Sequence, residues 1–497
     1  MAVTTQEQQD PFRPGREAAV ARMRAVGVAE PAVRAFERQH AALAGGASGL
    51  IREADVEPVA PQVHLDDLPE EPGSARAALD ATAVVVLNGG LGTSMGLSGP
   101  KSLLPVHDGL TFLDLTVRQV LALREASGAR LPLLLMDSFA TRDASLERLA
   151  AYPDLVVDDL PPDVLQSREP KLRVEDLAPV DHPADPRLEW CPPGHGDLYP
   201  TLMASGVLDA LLERGYRHLF VSNVDNLGAV PDPRLAAWFA ASGAGYAAEV
   251  CPRTAMDRKG GHLVRRRADG RLLLRDTAQT ASEDMGHATD GERHPWVHTN
   301  SLWLDLPRLR ELLLTHDGAL PLPLIRNTKT VDPTDPTSTP VVQVESAMGG
   351  AVALFDDAVA VGVGRDRFVP VKGTDELLLL RSDVYEVGAG TGYRLLAGVD
   401  PLPVVSLDPE HYRFVHDLDA RFPDGAPSLR EAVSLQVRGD WTFGAQVVVR
   451  GRVRLDDRGG ARRVPDGTVL EGSAGPGPGG TGPGGTGPGG TGPEEAP

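Results

Sequence analysis

The chain has 497 residues, of which 41% are hydrophobic and 24% are charged, and its formal net charge is −20. This length is too great for one ordinary core and predicts two or three domains, while the composition is that of a soluble globular protein. The acidic balance argues against nucleic acid or an anionic membrane surface as a partner.

Targeting and redox features are sparse in the sequence. No apolar run reaches eighteen residues, and the polar start MAVTTQEQQDPFRPG lacks the basic and apolar parts of a signal peptide. We therefore expect a cytoplasmic protein that does not span a membrane. Cys191 and Cys251 are too few for a disulfide framework, and neither has the partner spacing of a zinc site, so two reduced thiols are expected.

The N-terminal part, residues 1–80, is predicted to be a helical segment followed by a linker. Within residues 16–45 apolar side chains recur at helical spacing, Gly27 ends one helix and Pro31 opens a second. Residues 54–76 are acidic and rich in proline, which indicates a connector.

Strands and helices alternate in the next part of the chain. Apolar strands are predicted at 83–87, 131–136 and 218–223, and a helix from about 113 to 126. This pattern predicts an α/β domain over 81–395, built on a mostly parallel, mixed, Rossmann-like sheet flanked by helices. Ligands of such sheets bind at the carboxyl ends of the strands.

The C-terminal part, 396–472, shows a different period. Apolar residues recur every six positions in two series, Leu435, Trp441, Val447 and Val453, and Val437, Phe443, Val449 and Leu455. Such a period is typical of a left-handed parallel β-helix, here a short one, and an antiparallel meander is the alternative. The remaining residues, 473–497, are rich in glycine and proline and are predicted to form a disordered tail.

Lysine is rare in this sequence. The 49 basic residues include only Lys101, Lys171, Lys259, Lys329 and Lys372. Arginine is used wherever a generic positive charge suffices. Each lysine is therefore a candidate for a role that needs the compact charge of an ammonium group rather than a planar guanidinium. For any single lysine, the alternative is that it is present by chance and has no special role.

A glycine-rich loop, LNGGLGTSMGLSGPK, occupies residues 87–101 directly after the strand at 83–87. Its glycine spacing is not that of a dinucleotide fingerprint, and its Gly-Pro-Lys ending is not that of a Walker A loop. The bare backbone can approach a nucleotide closely and direct N–H groups at phosphate oxygens, and Lys101 adds a full positive charge. The loop therefore predicts a phosphate-binding site.

Two further loops carry candidate polar residues. PPGHGD, 192–197, places His195 between two glycines, where it can donate to a phosphate. SNVDNLG, 222–228, places Asp225 at the carboxyl end of a strand, where a carboxylate can hold magnesium. The structural alternatives are a solvated loop histidine and an aspartate that caps a turn.

Together these segments resemble the eukaryotic-type UTP–glucose-1-phosphate uridylyltransferases, also called UDP-glucose pyrophosphorylases. The resemblance runs from about Phe12 to Leu470. Related UDP-N-acetylhexosamine pyrophosphorylases have alanine and glutamine where this chain has Asn88 and Leu91, and arginine in place of Ser94. This contrast favours glucose as the sugar.

The resemblance extends to segments on both sides of the implied reaction. LQSREPKL, 165–172, is similar to the segment whose glutamine reads uracil, which implies that role for Gln166. Similarly, HTNSLW, 298–303, places Asn300 where the family's asparagine binds glucose hydroxyls, although relatives commonly have asparagine at the positions of His298 and Ser301. DRKGGHL, 257–263, is similar to the sugar side as well, and RFVPVK, 367–372, ends in the second phosphate-binding lysine.

The implied reaction is UTP plus α-D-glucose 1-phosphate giving UDP-glucose and pyrophosphate, with Mg²⁺ as cofactor and direct in-line attack without a covalent intermediate. UTP contacts are implied for Leu87, Asn88, Gly89, Gly90, Lys101, Gln166, Gly194, Asn223, Asp225 and Lys372. Sugar-phosphate contacts are implied for Gly90, His195, Asn223, Asn300 and Lys372. Catalytic roles are implied for Lys101, Lys372 and Asp225, with Asp225 as the metal ligand.

Two alternatives to this function remain open. Within the same class, the enzyme could have a broad sugar range or prefer galactose or N-acetylglucosamine phosphates. From another class, the chain could be a non-catalytic nucleotide-sugar sensor, although sensors usually lose the metal carboxylate or a phosphate lysine that this chain retains. The family's octamer uses a longer β-helix, and because the recognisable sequence stops near Leu470 we expect a monomer or dimer.

Overall fold

The computed structural model describes residues 10–254, 257, 260–388, 392–395 and 398–472. The predicted disordered tail, 473–497, and Lys259 lie outside these residues. The α-helices are Arg13–Ala25, Glu30–Ala44, Pro72–Asp80, Phe112–Ser127, Arg142–Leu149, Leu198–Ala204, Val207–Glu213, Pro233–Ser242, Met285–Ala288, Leu306–Thr315, Thr374–Arg381, Pro409–Tyr412 and Val415–Arg421. Within the described ranges, none of these helices combines the length and apolarity that crossing a membrane requires.

An eight-stranded sheet forms the centre of the chain. Its strands are β1 (Val63–His64), β2 (Thr82–Asn88), β3 (Leu133–Asp137), β4 (Asp163–Leu165), β5 (His218–Asn223), β6 (Tyr246–Pro252), β7 (Trp296–Asp305) and β8 (Val359–Gly362). They lie in the order β1-β8-β6-β7-β5-β2-β3-β4. Neighbouring strands are parallel except at β7, which is antiparallel to both β6 and β5. The predicted mixed, mostly parallel sheet with helices is confirmed.

Both faces of this sheet are buried. Successive residues of a strand point to opposite faces, so in β2 Val84 and Val86 join one apolar core while Ala83 and Val85 join the other. A strand buried on both faces reads as a continuous apolar run, which explains why β2 is recognisable from sequence. The first core also includes Leu435, so the C-terminal strands extend it.

The two predicted N-terminal helices are present, Arg13–Ala25 and Glu30–Ala44. Their apolar faces pack against a small three-stranded sheet, with Val20 and Phe36 in the same core as Val342. That sheet consists of Leu172–Arg173, Ile325–Thr330 and Pro340–Glu345.

Segment 54–76 is more ordered than its composition indicates. It contains Val56–Pro58, strand β1 and the start of the helix Pro72–Asp80. Because β1 pairs with β8 at the end of the strand order, this connector supplies one edge strand of the central sheet. The other short strands are Pro105–His107, Leu110–Thr111, Glu169–Pro170, Trp190–Cys191, His262–Arg266, Leu272–Arg275, Tyr385–Gly388 and Gly392–Leu395.

The C-terminal strands pair in parallel. One sheet contains Val404–Ser406, Ser428–Val437, Val448–Leu455 and Val469–Glu471, and a second contains Trp441–Phe443 and Arg462–Val464. Leu435 pairs with Val453, and Phe443 with Val464. The observed parallel pairing is the pairing that a six-residue apolar period predicts. An antiparallel meander, the alternative for this segment, is not what the structure shows.

A buried ion-pair network joins Glu53 to the strand Leu272–Arg275 and to residues 293 and 294. The Glu53 carboxylate accepts hydrogen bonds from Arg275 and Arg293, and its Oε1 lies 3.3 Å from His294 Nε2. Burial alone would raise the pKa of Glu53, but these hydrogen bonds outweigh it and lower the pKa to about 2. The Arg275 side chain is fully buried, and its charge is compensated mainly by the buried Glu53, with Asp284 Oδ2 at 3.5 Å as a second, more distant carboxylate.

Glu53→Gln should therefore lower the free energy of unfolding at pH 7 by about 3–5 kcal/mol, because it leaves a buried guanidinium short of negative charge. Urea denaturation measures this loss. The matched control is Glu57→Gln, which removes a pair with Arg267 that is 3.5 Å long and roughly half exposed. The control should cost less than about 1 kcal/mol. Equal losses in the two variants would contradict the role of Glu53.

The pH dependence of this contribution has a defined sign. The folded-state pKa of Glu53, about 2, lies below the ordinary value of 4.5. Its contribution is thus complete above pH 4.5 and is lost as the pH falls towards 2. The difference in unfolding free energy between wild type and Glu53→Gln should shrink over that range.

Candidate active site

The carboxyl ends of β2 and β5 lie side by side, because the two strands are adjacent and parallel. Asn223, the last residue of β5, pairs with Leu87, where the glycine-rich loop begins. Asn300 of β7 reaches the same point from the other side, and its amide Nδ2 donates to Asn223 Oδ1 at 2.8 Å. Three predicted segments therefore meet at one edge of the sheet.

A cleft at this edge has two compartments with a shared wall. The first compartment is lined by Leu87, Gly89, Gly90, Lys101, Met136, Gln166, Pro192, Gly194 and Val224. The second is lined by residues that include Asp257, Gly260, Gly261, Asp276, His298, Asn300, Phe368 and Lys372. His195, Asn223 and Asp225 line both compartments. The structure thus brings together every predicted site residue except Asn88.

Asn88 has a supporting position instead. Its side chain is buried, and its Nδ2 donates to Asp137 Oδ1 and Ser145 Oγ, both at 2.7 Å. These contacts tie the end of β2 to the end of β3 and to the helix Arg142–Leu149. Asn88 is therefore expected to contact a ligand through its backbone rather than through its side chain.

Lys101 is held by two segments that are distant in sequence. Its Nζ lies 2.5 Å from Asp225 Oδ2, and it also donates to the carbonyl oxygen of Val371. The Val371 N–H in turn donates to the Asp225 carbonyl at 3.2 Å, and the Lys101 N–H to the Gly90 carbonyl at 3.1 Å. These contacts fix the end of the glycine-rich loop against the shared wall.

Gln166 lies directly over the first turn of that loop. A Cβ added to Gly89 would be only 2.8 Å from Gln166 Nε2, closer than side-chain packing allows. The Gln166 N–H donates to the Asp137 carbonyl at 2.8 Å, so the residue is anchored at the end of β3. A side chain at position 89 would therefore displace the Gln166 amide from its present place in the first compartment.

His195 is a neutral imidazole. Burial lowers its pKa to about 4, so the ring is uncharged at neutral pH. Its Nδ1 accepts the Met348 N–H at 3.1 Å, which places the remaining proton on Nε2. His195 can therefore donate one hydrogen bond in the cleft, and it contributes no positive charge.

Asn300 has an unusual backbone conformation. Its φ of 63° lies in the left-handed region, which asparagine tolerates better than most residues. The sequence motif identified Asn300, but nothing in its spacing predicted this turn. His298 and Asp276 also line the second compartment, although their sequence positions predicted no role for either. The HTNSLW motif contains His298 and the DRKGGHL motif contains Asp257, so these two lining residues could have been found from sequence. Asp276 lies in none of the motifs.

A metal ion in this cleft would have few protein ligands. Among the described residues, no group of three or more His, Cys, Asp or Glu side chains is placed to hold one. Asp225 is nevertheless a carboxylate on the shared wall, with about a fifth of its side chain exposed. Mg²⁺ commonly binds through one or two carboxylates and takes its other ligands from water and phosphates. The residues present therefore fit Mg²⁺ bound together with a phosphate ligand.

Comparison with known proteins gives one consistent result. The family model described as UTP–glucose-1-phosphate uridylyltransferase matches residues 34–450. The enzyme of that name from Solanum tuberosum is 39% identical over 419 residues, which are 83% of this chain and 85% of the relative. A probable enzyme of the same name from Schizosaccharomyces pombe is 36% identical, over 82% of this chain and 80% of the relative.

Solved structures agree with these relatives. A Trypanosoma brucei UDP-glucose phosphorylase is 41% identical with a TM-score of 0.87, over 92% of this chain and 98% of that one. A Leishmania major UDP-glucose pyrophosphorylase mutant in complex with UDP-glucose is 41% identical with a TM-score of 0.88, over 92% of this chain and 98% of that one.

The loop that carries His195 depends on glycine at position 194. Gly194 has φ 79° and ψ 174°, a region that is essentially restricted to glycine, and an added Cβ would be 2.6 Å from the Ser346 carbonyl oxygen. Gly194→Ala should thus lower the free energy of unfolding by at least about 1–3 kcal/mol, measured by urea denaturation. Gly206→Ala is the control, since Gly206 also has positive φ but open space around its Cβ position. A loss no greater than that of the control would contradict this account.

Proposed function

Because the chain belongs to the UTP–glucose-1-phosphate uridylyltransferase family, we propose that it converts UTP and α-D-glucose 1-phosphate to UDP-glucose and pyrophosphate. The observation that carries this proposal is the divided cleft. Its two compartments suit two substrates, and they share Asp225, His195 and Asn223 at the place where the substrates' phosphates must meet.

The first compartment is assigned to UTP. Gln166 offers a donor and an acceptor to the uracil edge, which itself presents a donor and acceptors. Leu87, Gly89, Gly90 and Gly194 also line this compartment, and the three glycines allow close approach to the backbone. Lys101 lines this compartment next to Asp225 and is assigned to the phosphates that leave as pyrophosphate.

The second compartment is assigned to glucose 1-phosphate. Asn300 and Asn223, already hydrogen-bonded to each other, provide amide groups for sugar hydroxyls. His195 donates from Nε2 to an oxygen of the sugar phosphate. The backbone of Gly90, which reaches this phosphate from the first compartment, is assigned a contact with it as well. Lys372 is assigned to the position between the phosphates of the two substrates.

The proposed chemistry is direct in-line displacement at the α-phosphorus of UTP. An oxygen of the sugar phosphate attacks, and pyrophosphate leaves on the opposite side. This oxygen is already ionised, so no general base and no covalent enzyme intermediate are needed. Catalysis then depends on holding two polyanions in line and on stabilising the leaving charge, which is what the two lysines and the backbone donors do.

Mg²⁺ is the proposed cofactor, and Asp225 is its proposed protein ligand. When bound, the ion would supply positive charge shared by the phosphates of the two substrates. The position of Asp225 on the shared wall supports this assignment.

The finer organisation of the chain is also proposed. Parallel pairing and the six-residue period support a short left-handed β-helix over 396–472, following a catalytic domain over 81–395 and an N-terminal segment over 1–80. We further propose a cytoplasmic enzyme that is a monomer or a dimer. A light-scattering mass of the purified chain tests the assembly.

Pyrophosphate release from UTP with a panel of sugar 1-phosphates tests the reaction. Glucose 1-phosphate should give the highest kcat/KM, ahead of the galactose and N-acetylglucosamine phosphates, and EDTA should abolish turnover until Mg²⁺ is restored. Comparable values across the panel would instead indicate a broad-range enzyme. Binding of UDP-glucose without any turnover would identify a sensor.

Replacement of Lys372 tests the proposed electrostatic role. Lys372→Ala should lower kcat roughly 10²–10³-fold, by analogy with the loss of other preorganised charge contacts. Lys372→Arg should not restore full activity, because the planar guanidinium group is wider than an ammonium group and its charge is spread over three nitrogens. Lys329→Ala is the control: this lysine is half exposed and lies 4.0 Å from Glu345, so its loss should change kcat less than about twofold. Near-normal turnover of Lys372→Ala would refute the role.

A further inference from the structure

His298 lies in the second compartment, two residues before Asn300 on β7. Its side chain is almost completely buried, and burial lowers its pKa to about 3, with nearby His195 acting in the same direction. The ring is therefore neutral at any pH at which the protein would be assayed. It can act through hydrogen bonds but not through charge.

The hydrogen bond that His298 makes is directed at the backbone of Asn300. Its Nδ1 accepts the Asn300 N–H at 3.2 Å. An acceptor two residues earlier in the chain stabilises a local turn, as the side chains of aspartate and asparagine do in other turns. Here the turned residue is Asn300, whose φ is 63°.

The turn determines where the Asn300 side chain points. In a regular strand, residue 300 would continue the alternation of β7, whereas the left-handed conformation breaks it locally. In this conformation Asn300 Nδ2 reaches Asn223 Oδ1 at 2.8 Å, on the wall that both compartments share. The contact between these two amides is thus made in the same turn in which His298 Nδ1 accepts the Asn300 N–H.

We propose that His298 is a positioning residue, which supports the binding of glucose 1-phosphate by holding Asn300 in the turn that presents its amide to this substrate. This inference rests on the proposed function, since it concerns the sugar side of that reaction. His298 need not touch the reacting atoms. What matters is its acceptor atom.

Two substitutions separate the acceptor from the bulk of the side chain. His298→Asn keeps an oxygen that can accept the N–H two residues later, and His298→Leu fills the space without an acceptor. His218→Leu is the matched control. This histidine lies on the neighbouring strand β5, opposite Asp305 at the far end of the β5–β7 pair, and lines neither compartment.

The measurements are KM for glucose 1-phosphate, KM for UTP and kcat for the full-length chain. His298→Leu should raise KM for glucose 1-phosphate about tenfold and leave KM for UTP within about twofold of wild type, because a single hydrogen bond is lost on the sugar side alone. His298→Asn should stay within about threefold of wild type for both substrates. His218→Leu should leave both KM values unchanged.

Several results would overturn the proposal. One is an unchanged KM for glucose 1-phosphate in His298→Leu, and another is an equal rise in both KM values, which a general loss of packing would produce. A tenfold rise in the sugar KM of His298→Asn would equally show that the acceptor is not what matters. If His298→Leu does not fold, His298→Met provides the same comparison with a more adaptable side chain. Failure of the proposed function would be visible separately, as absence of turnover in the wild type.

Discussion

One ammonium group joins three segments that are far apart in the sequence. Lys101 Nζ contacts the carboxylate of Asp225, 124 residues away, and the carbonyl of Val371, 270 residues away. The Lys101 and Asp225 side chains are only 17% and 20% exposed, so each charge depends on the other to offset its desolvation. The end of the glycine-rich loop, the end of β5 and the segment 367–372 are consequently held around one point, and both compartments open from it.

The segment that carries Lys372 is fixed by a second set of contacts. Arg367, at its start, makes a bidentate pair with the buried carboxylate of Glu249 on β6, at 2.8 and 2.9 Å. Asn226, just after Asp225, donates to the Arg367 carbonyl and accepts the Val369 N–H at 2.8 Å. The loop after β5 and the segment before Lys372 therefore form one hydrogen-bonded unit, and a rigid unit of this kind is what in-line positioning requires.

The parts of this fold that were predictable from sequence are those whose signals are local. The apolar run of β2, the glycines of the loop and the motifs around His195 and Asp225 each lie within a few residues, and the structure brings them to one edge of the sheet. Other features depend on partners distant in sequence. The buried pair of Glu53 and Arg275 spans 222 residues, and the inward orientation of Asn88 depends on side chains of the next strand and helix. Neither has a periodicity or a spacing that a sequence alone displays.

The charges that line the cleft connect these observations to the proposed chemistry. Among the described residues that line it, positive charge comes only from Lys101 and Lys372, since His195 and His298 are neutral. The remaining charged lining groups are carboxylates. Asp225 is balanced by Lys101, and Asp257 by Arg365 at 2.9 Å.

The other charged groups of the lining are Lys372 and Asp276, and their charges have opposite signs. A cleft that is nearly neutral in this way does not by itself offset the charge of a nucleoside triphosphate and a sugar phosphate bound side by side. An additional cation on the shared wall would supply the missing charge where the phosphates meet. The electrostatics of the lining therefore support the proposed Mg²⁺ at Asp225 independently of any sequence motif.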